Sequence, residues 1–223
     1  MHYDVEEVKG YVKNFSLNED GGFTEWEGEE FVGSISGENL PAFNWEDGAT
    51  KLVIIPENRD YVIKIPFNGR YDYGDFFCFE GACSDTCDDY CSSEMHLYEE
   101  AKRMNLEKLF LPLELACEVD GYPIYVQDKA EEIDSWHSGA QGMKYSSEAS
   151  RDKISQAYKE GTRFFGPPTW IASCLDVLGS FEELRRFLSF LDEEGITDLH
   201  EGNLGYYDGH AVIIDYGGYH EFA

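Results

Sequence analysis

The sequence has little positive charge. Its 223 residues include 17 Lys and Arg against 45 Asp and Glu, which gives a formal net charge of −28. Affinity for nucleic acid rests on Lys and Arg contacts to phosphate, so this balance excludes a general DNA- or RNA-binding protein. It is compatible with an acidic mimic of nucleic acid, which would occupy the basic groove of another protein.

Long hydrophobic runs are also missing, and we expect no export signal. The apolar stretches are short, such as Leu52–Ile55, and fall far below the roughly 20 residues that span a bilayer. The first residues, Met1–Glu7, carry acids where a signal peptide carries positive charge. We therefore expect a cytoplasmic protein without membrane contact, in which the six cysteines are thiols or metal ligands rather than disulfides.

What the sequence does contain is enough apolar material for a folded core. Hydrophobic residues make up 42% and aromatic residues 15% of the chain, which excludes a disordered protein. We find no internal repeat, and the length suits one domain or two small lobes. Strand patterns come first and helical patterns follow, which predicts an α+β fold with two lobes.

The local patterns predict the order of the elements. Ser180 and Glu183 form a capping box in front of a strong amphipathic helix that Gly195 ends. The predicted elements are a helix within the first 20 residues, strand Phe31–Ile35, strands Thr50–Ile55 and Tyr61–Ile65, an insertion Tyr71–Cys91, helix Ser92–Met104, strands Leu113–Val119 and Tyr122–Gln127, a loop Ser135–Ser150, helices over 151–164 and 169–178 and from Ser180, and strands Leu204–Tyr207 and Ala211–Asp215.

The last hairpin carries the chemistry. A two-residue turn at Asp208-Gly209 sets Asn203 opposite Ile214, so that Asn203 and Asp215 lie one residue apart at its open end. An amide oxygen and a carboxylate placed in this way suit Mg²⁺ together with phosphate oxygens. Asp198 lies on the loop that enters the hairpin, where it would accept a proton or orient a hydroxyl. Each of these residues taken alone also suits an ordinary turn or cap.

The spacing from Asp198 to Asn203, followed by Asp215-Tyr216-Gly217 after a strand, resembles the catalytic and metal-binding loops of the protein-kinase-like superfamily. The form Asp198-Leu199-His200 is similar to that of the small protein kinases encoded by bacteriophages and prophages. The resemblance covers roughly residues 48 to 219. It implies an N-terminal extension over 1–47, a β-rich N-lobe over 48–129 with a Cys-rich insertion over 71–91, and a truncated, mostly helical C-lobe over 130–223.

The resemblance also implies roles for upstream residues. Lys64, in Val62-Ile63-Lys64, takes the place of the strand lysine that pairs with the α- and β-phosphates of ATP, and Glu94 that of its helix partner. Gly48 and Thr50 lie at the exit of a phosphate-covering loop, although the full three-glycine pattern is absent. The backbone of Asp128 and Ala130 takes the place of the hinge that reads adenine.

The resemblance therefore implies an ATP- and Mg²⁺-dependent phosphotransferase with an unknown acceptor, in which Asp198 is catalytic and Asn203 and Asp215 bind Mg²⁺. His200 is interpreted as a brace for the catalytic loop. Thr197 replaces the usual Arg, and only six residues follow Gly217, so we expect no activation segment. The alternative is a degenerate kinase-like binding protein, or an acidic surface mimic, that antagonises a basic host partner.

A stretch of fourteen residues inside the insertion contains four cysteines: Cys78, Cys83, Cys87 and Cys91. Four sulfurs can bind Zn²⁺ tetrahedrally, but their spacing lacks the usual Cys-x2-Cys knuckle. Zinc binding and free thiols both remain open from the sequence, with free thiols favoured.

Overall fold

A computed structural model of the chain describes residues 2–12, 42–47, 51–66, 90–119, 121–133 and 140–217. The chain divides into two compact units. The first comprises Met1–Ser93 and Leu113–Lys129, and the second comprises Glu94–Pro112 and Ala130–Glu221. The predicted α+β class is confirmed, since an N-terminal antiparallel sheet is followed by a mostly helical region with a small sheet.

The first unit is built on five antiparallel strands in the order β1-β2-β3-β5-β4. Two β-branched runs, joined by a turn around Asn58 at φ 59°, form its central hairpin, as the sequence predicts. The elements are α1 (Val5–Val12), β1 (Phe43–Asp47), β2 (Lys51–Pro56), β3 (Tyr61–Pro66), β4 (Leu113–Val119) and β5 (Tyr122–Asp128).

One face of this sheet forms the core of the first unit. Strand residues alternate between faces, and Leu52, Ile54, Ile63 and Ile65 are almost fully buried on the same side. The buried side chains of α1 pack against this side, in one cluster with the strand residues. The first helix therefore covers one face of the sheet and leaves the other face to different contacts.

The second unit contains most of α2 and all of the remaining helices. Ser180 accepts a hydrogen bond from the backbone N–H of Glu183, which confirms the Ser180 half of the predicted capping box, and Gly195 ends the helix at φ 67°. The elements are α2 (Tyr90–Arg103), β6 (Glu131–Glu132), α3 (Ala140–Lys144), α4 (Glu148–Lys159), α5 (Pro168–Leu178), α6 (Phe181–Glu193), β7 (Leu204–Tyr207) and β8 (His210–Ile213), with 3-10 turns at Glu107–Leu109 and Glu201–Asn203.

The core of the second unit holds the β7–β8 hairpin against α5. Trp170 is fully buried, and its indole N–H lies 3.3 Å from the carbonyl oxygens of Gly205 and Val212. Ser173 accepts a hydrogen bond from the backbone N–H of Ala211, also within the core. The hairpin backbone therefore has partners on the helix that packs against it.

Some predicted elements differ from the structure. The predicted loop Ser135–Ser150 is wrong in its second half, because α3 and the first turn of α4 lie there. The side chain of Ser147 caps α4 by accepting a hydrogen bond from the backbone N–H of Ser150. The polar composition of this stretch suits a loop as well as a capped helix start, so the cap was not recognised in the sequence. The predicted strand Phe31–Ile35 and the insertion up to residue 89 lie outside the described residues. Within the described part of the chain, no helix is long and apolar enough to cross a membrane.

Candidate functional site

The hairpin of the second unit places Asn203 beside Asp215. Leu204 pairs with Ile213 and Tyr207 with His210, so the predicted register is confirmed. The turn residues Asp208 and Gly209 both have positive φ, which this tight hairpin requires. Just beyond the last strand pair, the backbone N–H of Ile214 donates to the carbonyl oxygen of Asn203 at 2.8 Å. Asp215 is the next residue along the chain.

The segment after Asp215 is anchored in the core of the second unit. Tyr216 is 1% exposed, and its hydroxyl donates to the carbonyl oxygen of Leu111 at 2.7 Å. Its ring packs edge-on against Phe110, with 5.1 Å between centroids. This anchor fixes the backbone immediately after the half-buried Asp215.

Asn203 is tied to the loop that carries Asp198. Its side-chain nitrogen donates to the backbone carbonyl oxygen of Asp198 at 2.7 Å. A carbonyl oxygen only accepts, so the NH₂ group must face it, and the amide oxygen of Asn203 points away from it. The hydrogen bond thus joins two candidate site residues and orients the amide oxygen, the atom that suits a metal ion.

Asp198 itself is exposed on this loop. Its side chain is 45% accessible, and its Oδ1 lies 3.7 Å from the Nε2 of His200. The Nδ1 of His200 accepts the backbone N–H of Gly202 at 3.1 Å, so neutral His200 carries its proton on Nε2, towards Asp198. His200 is thus bonded to the backbone of its own loop, and its role as a brace for a catalytic loop stays a prediction.

These residues suit a magnesium ion only in combination with ligand oxygens. Among the residues that the structure describes, no three His, Cys, Asp or Glu side chains form a metal-binding group. The donors at the hairpin are the amide oxygen of Asn203 and the carboxylate of Asp215. Mg²⁺ is commonly held by one or two protein oxygens together with substrate phosphates and water, and this donor set fits that pattern.

Lys64 lies in the first unit, on β3, where its side chain is 3% exposed. It pairs with Val53 of β2 and Tyr125 of β5, on the opposite face from Ile63. Glu94 is fully buried on α2 and belongs to the second unit. The pairing of these two side chains stays a prediction.

The remaining nucleotide-binding assignments concern backbone positions. Asp128 ends β5 opposite Tyr61, and the next residue, Lys129, donates its N–H to the carbonyl oxygen of Asp60. Ala130 follows in the second unit, and the adenine-binding role of this segment stays a prediction. Gly48 and Thr50 lie outside the described residues.

Of the four cysteines considered as zinc ligands, the structure describes one. Cys78, Cys83 and Cys87 lie outside the described residues, whereas Cys91 is fully buried at the start of α2. Zinc binding by these four residues stays untested. Cys174 lies in the core of the second unit, and burial raises the pKa of its thiol well above the usual value.

One buried charge was missed by the reasoning from sequence. Lys51, the first residue of β2, is 2% exposed and lies on the same face of the sheet as Lys64. Strand alternation, combined with the correct hairpin register, would have placed the two lysines together.

Comparisons with known proteins assign no function to these residues. No protein-family model matches the chain, and no curated protein matches it either.

Proposed function

We propose that the protein is an ATP- and Mg²⁺-dependent phosphotransferase of the protein-kinase-like superfamily, acting in the cytoplasm on an unknown hydroxyl acceptor. The observation that supports it most is the hydrogen bond from the Asn203 side-chain amide to the backbone carbonyl oxygen of Asp198. The register of the hairpin supports it further, because it sets Asn203 next to Asp215. A catalytic carboxylate and two metal ligands on one braced loop and hairpin are what phosphoryl transfer requires of a protein.

Each residue has a distinct task in this proposal. Asp198 accepts the proton of the acceptor hydroxyl while that oxygen forms its bond to the γ-phosphorus. The bond between the γ-phosphorus and the bridging oxygen breaks, and ADP leaves with the electron pair. Asn203 and Asp215 would hold Mg²⁺, and the ion would supply positive charge next to the phosphate oxygens. Lys64 binds the α- and β-phosphates, and Glu94 holds Lys64 in place.

Electrostatics makes the local cations essential. A net charge of −28 opposes the approach of a polyphosphate in general. Interactions between exposed charges fade over roughly 8 Å at physiological salt, so nearby groups outweigh distant ones. Lys64 and the metal would therefore supply the compensation that the surface as a whole does not.

Mg²⁺-dependent ATP binding tests the proposal through two matched variants. Asp215→Asn removes the only full negative charge assigned to the cation, so ATP should stabilise this variant equally with and without Mg²⁺. Asp208→Asn makes the same chemical change at the far end of the hairpin, where Asn tolerates the φ of 48°. In Asp208→Asn, Mg²⁺ should increase the stabilisation by ATP as much as it does in wild type.

Thermal unfolding with ATP, with Mg²⁺ and with both gives the measurement. A ligand at a hundred times its Kd stabilises the folded state by about 2.7 kcal/mol, which raises the midpoint temperature of unfolding measurably. If Mg²⁺ added nothing to the effect of ATP on wild-type protein, the metal assignment would be wrong.

The net charge also favours a second candidate, a binding protein whose acidic surface occupies a basic host protein. Such binding would be sensitive to salt and independent of the nucleotide site. Equal capture of the same partner by wild type and by a Lys64→Ala, Asp215→Asn double variant would favour this candidate over the enzyme.

A further inference from the structure

The carboxylate of Asp198 needs a restraint that its backbone does not supply. The side-chain amide of Asn203 holds the main chain at Asp198, because it donates to the carbonyl oxygen there. The Asp198 side chain itself is 45% accessible. The terminal torsion of an Asp side chain is broad, so an exposed carboxylate turns unless a neighbour restrains it. A general base has to bring one oxygen within about 2.6–3.2 Å of the group whose proton it takes.

His200 presents a hydrogen-bond donor to this carboxylate. Its Nδ1 accepts the backbone N–H of Gly202 at 3.1 Å, so the single proton of the neutral ring is on Nε2. Nε2 lies 3.7 Å from Oδ1 of Asp198. Shortening this separation by about 0.8 Å gives the usual N–H···O distance, and the hydrogen bonds of catalytic groups often tighten when substrate binds.

The local backbone sets the position of the imidazole ring. A Cβ added at Gly202 would lie 3.1 Å from Cε1 and 3.3 Å from Nδ1 of His200, which is closer than ordinary van der Waals contact. His200 also caps the 3-10 turn Glu201–Asn203. The same turn therefore places the ring of His200 and the amide of Asn203, one beside the carboxylate of Asp198 and the other on its carbonyl oxygen.

We propose that His200 is a positioning residue for Asp198, whose Nε2–H restrains Oδ1 so that Oδ2 meets the acceptor hydroxyl. The inference rests on the proposed function and extends it, since the sequence indicates for His200 only a brace of the loop. The proton of the hydroxyl goes to Asp198. His200 does not take it, because Nε2 already carries a proton and Nδ1 accepts from Gly202.

Two substitutions separate the role of Nε2 from that of Nδ1. His200→Asn keeps an oxygen that can cap the N–H of Gly202 but has no group at the position of Nε2. It should lower the turnover of ATP by about threefold to tenfold, the value of one hydrogen bond, and leave Mg-ATP affinity within about twofold. His200→Gln, whose longer amide carries a donor towards Asp198, should recover part of the lost turnover.

A double-mutant cycle shows whether His200 acts through Asp198. In the Asp198→Asn background, His200→Asn should change the residual turnover by less than about twofold, because the interaction is already lost. A role in loop structure alone would lower turnover by the same factor in both backgrounds. The matched control is His96→Asn, since Nε2 of His96 lies 4.0 Å from Glu100 on the surface of the same unit. It should change turnover by no more than about twofold.

Nitrogen NMR of the histidine rings tests the contact without any turnover. At about pH 9, well above the usual pKa of histidine, the proton of His200 should be on Nε2. The Nε2 resonance should shift in Asp198→Asn and stay unchanged in Asp208→Asn, the same chemical change at the hairpin turn. Circular dichroism shows whether each variant is folded. If His200→Asn is not, this measurement decides, because it observes the native histidine.

The outcomes separate the two claims. A proton on Nδ1 of His200, unchanged turnover in folded His200→Asn, or equal losses in both backgrounds each overturn the role of His200 and leave the proposed function standing. An Nε2 resonance that responds to Asp198→Asn, in a protein that transfers no phosphate from ATP, supports the contact and removes the proposed function. A proton on Nδ1 together with no phosphate transfer overturns both.

Discussion

The two units present their candidate functional groups in opposite ways. In the first unit, Lys51 and Lys64 are buried on adjacent strands of a regular sheet. In the second, Asp198 and His200 are exposed on an irregular loop that backbone and side-chain hydrogen bonds hold in shape. A strand directs side chains through its geometry, whereas a loop needs specific bonds for the same purpose.

This difference suits the two tasks that we assign. Groups that bind a polyphosphate gain strength from burial, because electrostatic interactions are stronger away from water. A carboxylate that accepts a proton from a second substrate must remain accessible to it. Substitution of the buried Lys64 should therefore affect binding and folding together, and substitution of Asp198 should affect chemistry alone.

The largest effect is expected at Trp170, which holds the hairpin of the second unit. Trp170→Ala removes a fully buried indole and its contacts to the carbonyl oxygens of Gly205 and Val212. It should lower the free energy of unfolding by about 3–5 kcal/mol. Chemical denaturation gives the measurement.

Phe165→Ala is the control for Trp170→Ala, since Phe165 is 69% exposed and should change stability by no more than about 0.5 kcal/mol. Equal losses from the two variants would show that the core around Trp170 does not support the hairpin.

A smaller effect is expected at Ile63, which adjoins Lys64 in sequence but lies on the face that α1 covers. Ile63→Val should reduce stability by about 0.5–1.5 kcal/mol, because it deletes one buried methyl group. ATP affinity should stay within about twofold of wild type. A large loss of ATP affinity in this folded variant would contradict the division of the sheet into a core face and a binding face.

The smallest effect is expected at Asp176, which supports the start of α4 from α5. Burial tends to raise the pKa of Asp176, but hydrogen bonds from Ser147 and Ser150 outweigh it and lower that pKa below 3.8. Asp176→Asn should cost about 0.5–1 kcal/mol at neutral pH, a modest value because the carboxylate is exposed.

The pH dependence of this effect has a definite sign. A carboxyl group whose pKa is lowered on folding contributes stability above its unfolded pKa and loses it as the pH falls through the folded value. The difference in unfolding free energy between wild type and Asp176→Asn should therefore shrink below pH 3.8. A difference that grew on acidification would show that the charged form of Asp176 is not the stabilising one.

The contrast between the units also explains what the sequence could predict. Apolar alternation and the Asp208-Gly209 turn were enough for both hairpins and for the placement of Asn203 beside Asp215. The burial of Lys51 was not predictable from local pattern, since it depends on which face of the sheet is covered. The bond from Asn203 to the Asp198 carbonyl oxygen depends on a 3-10 turn that no periodicity signals.

The most direct test of the account is the turnover of Asp198→Asn. This change keeps the shape of an exposed side chain but removes its ability to take a proton, so stability should change by no more than about 0.5 kcal/mol. We predict that Asp198→Asn binds Mg-ATP within a few-fold of wild type, and that it hydrolyses ATP or transfers phosphate about a hundredfold more slowly or worse. Asp208→Asn, on the hairpin turn, should retain the wild-type rate. An Asp198→Asn variant that binds Mg-ATP normally and turns it over at the wild-type rate would contradict the assignment of Asp198 as the catalytic residue.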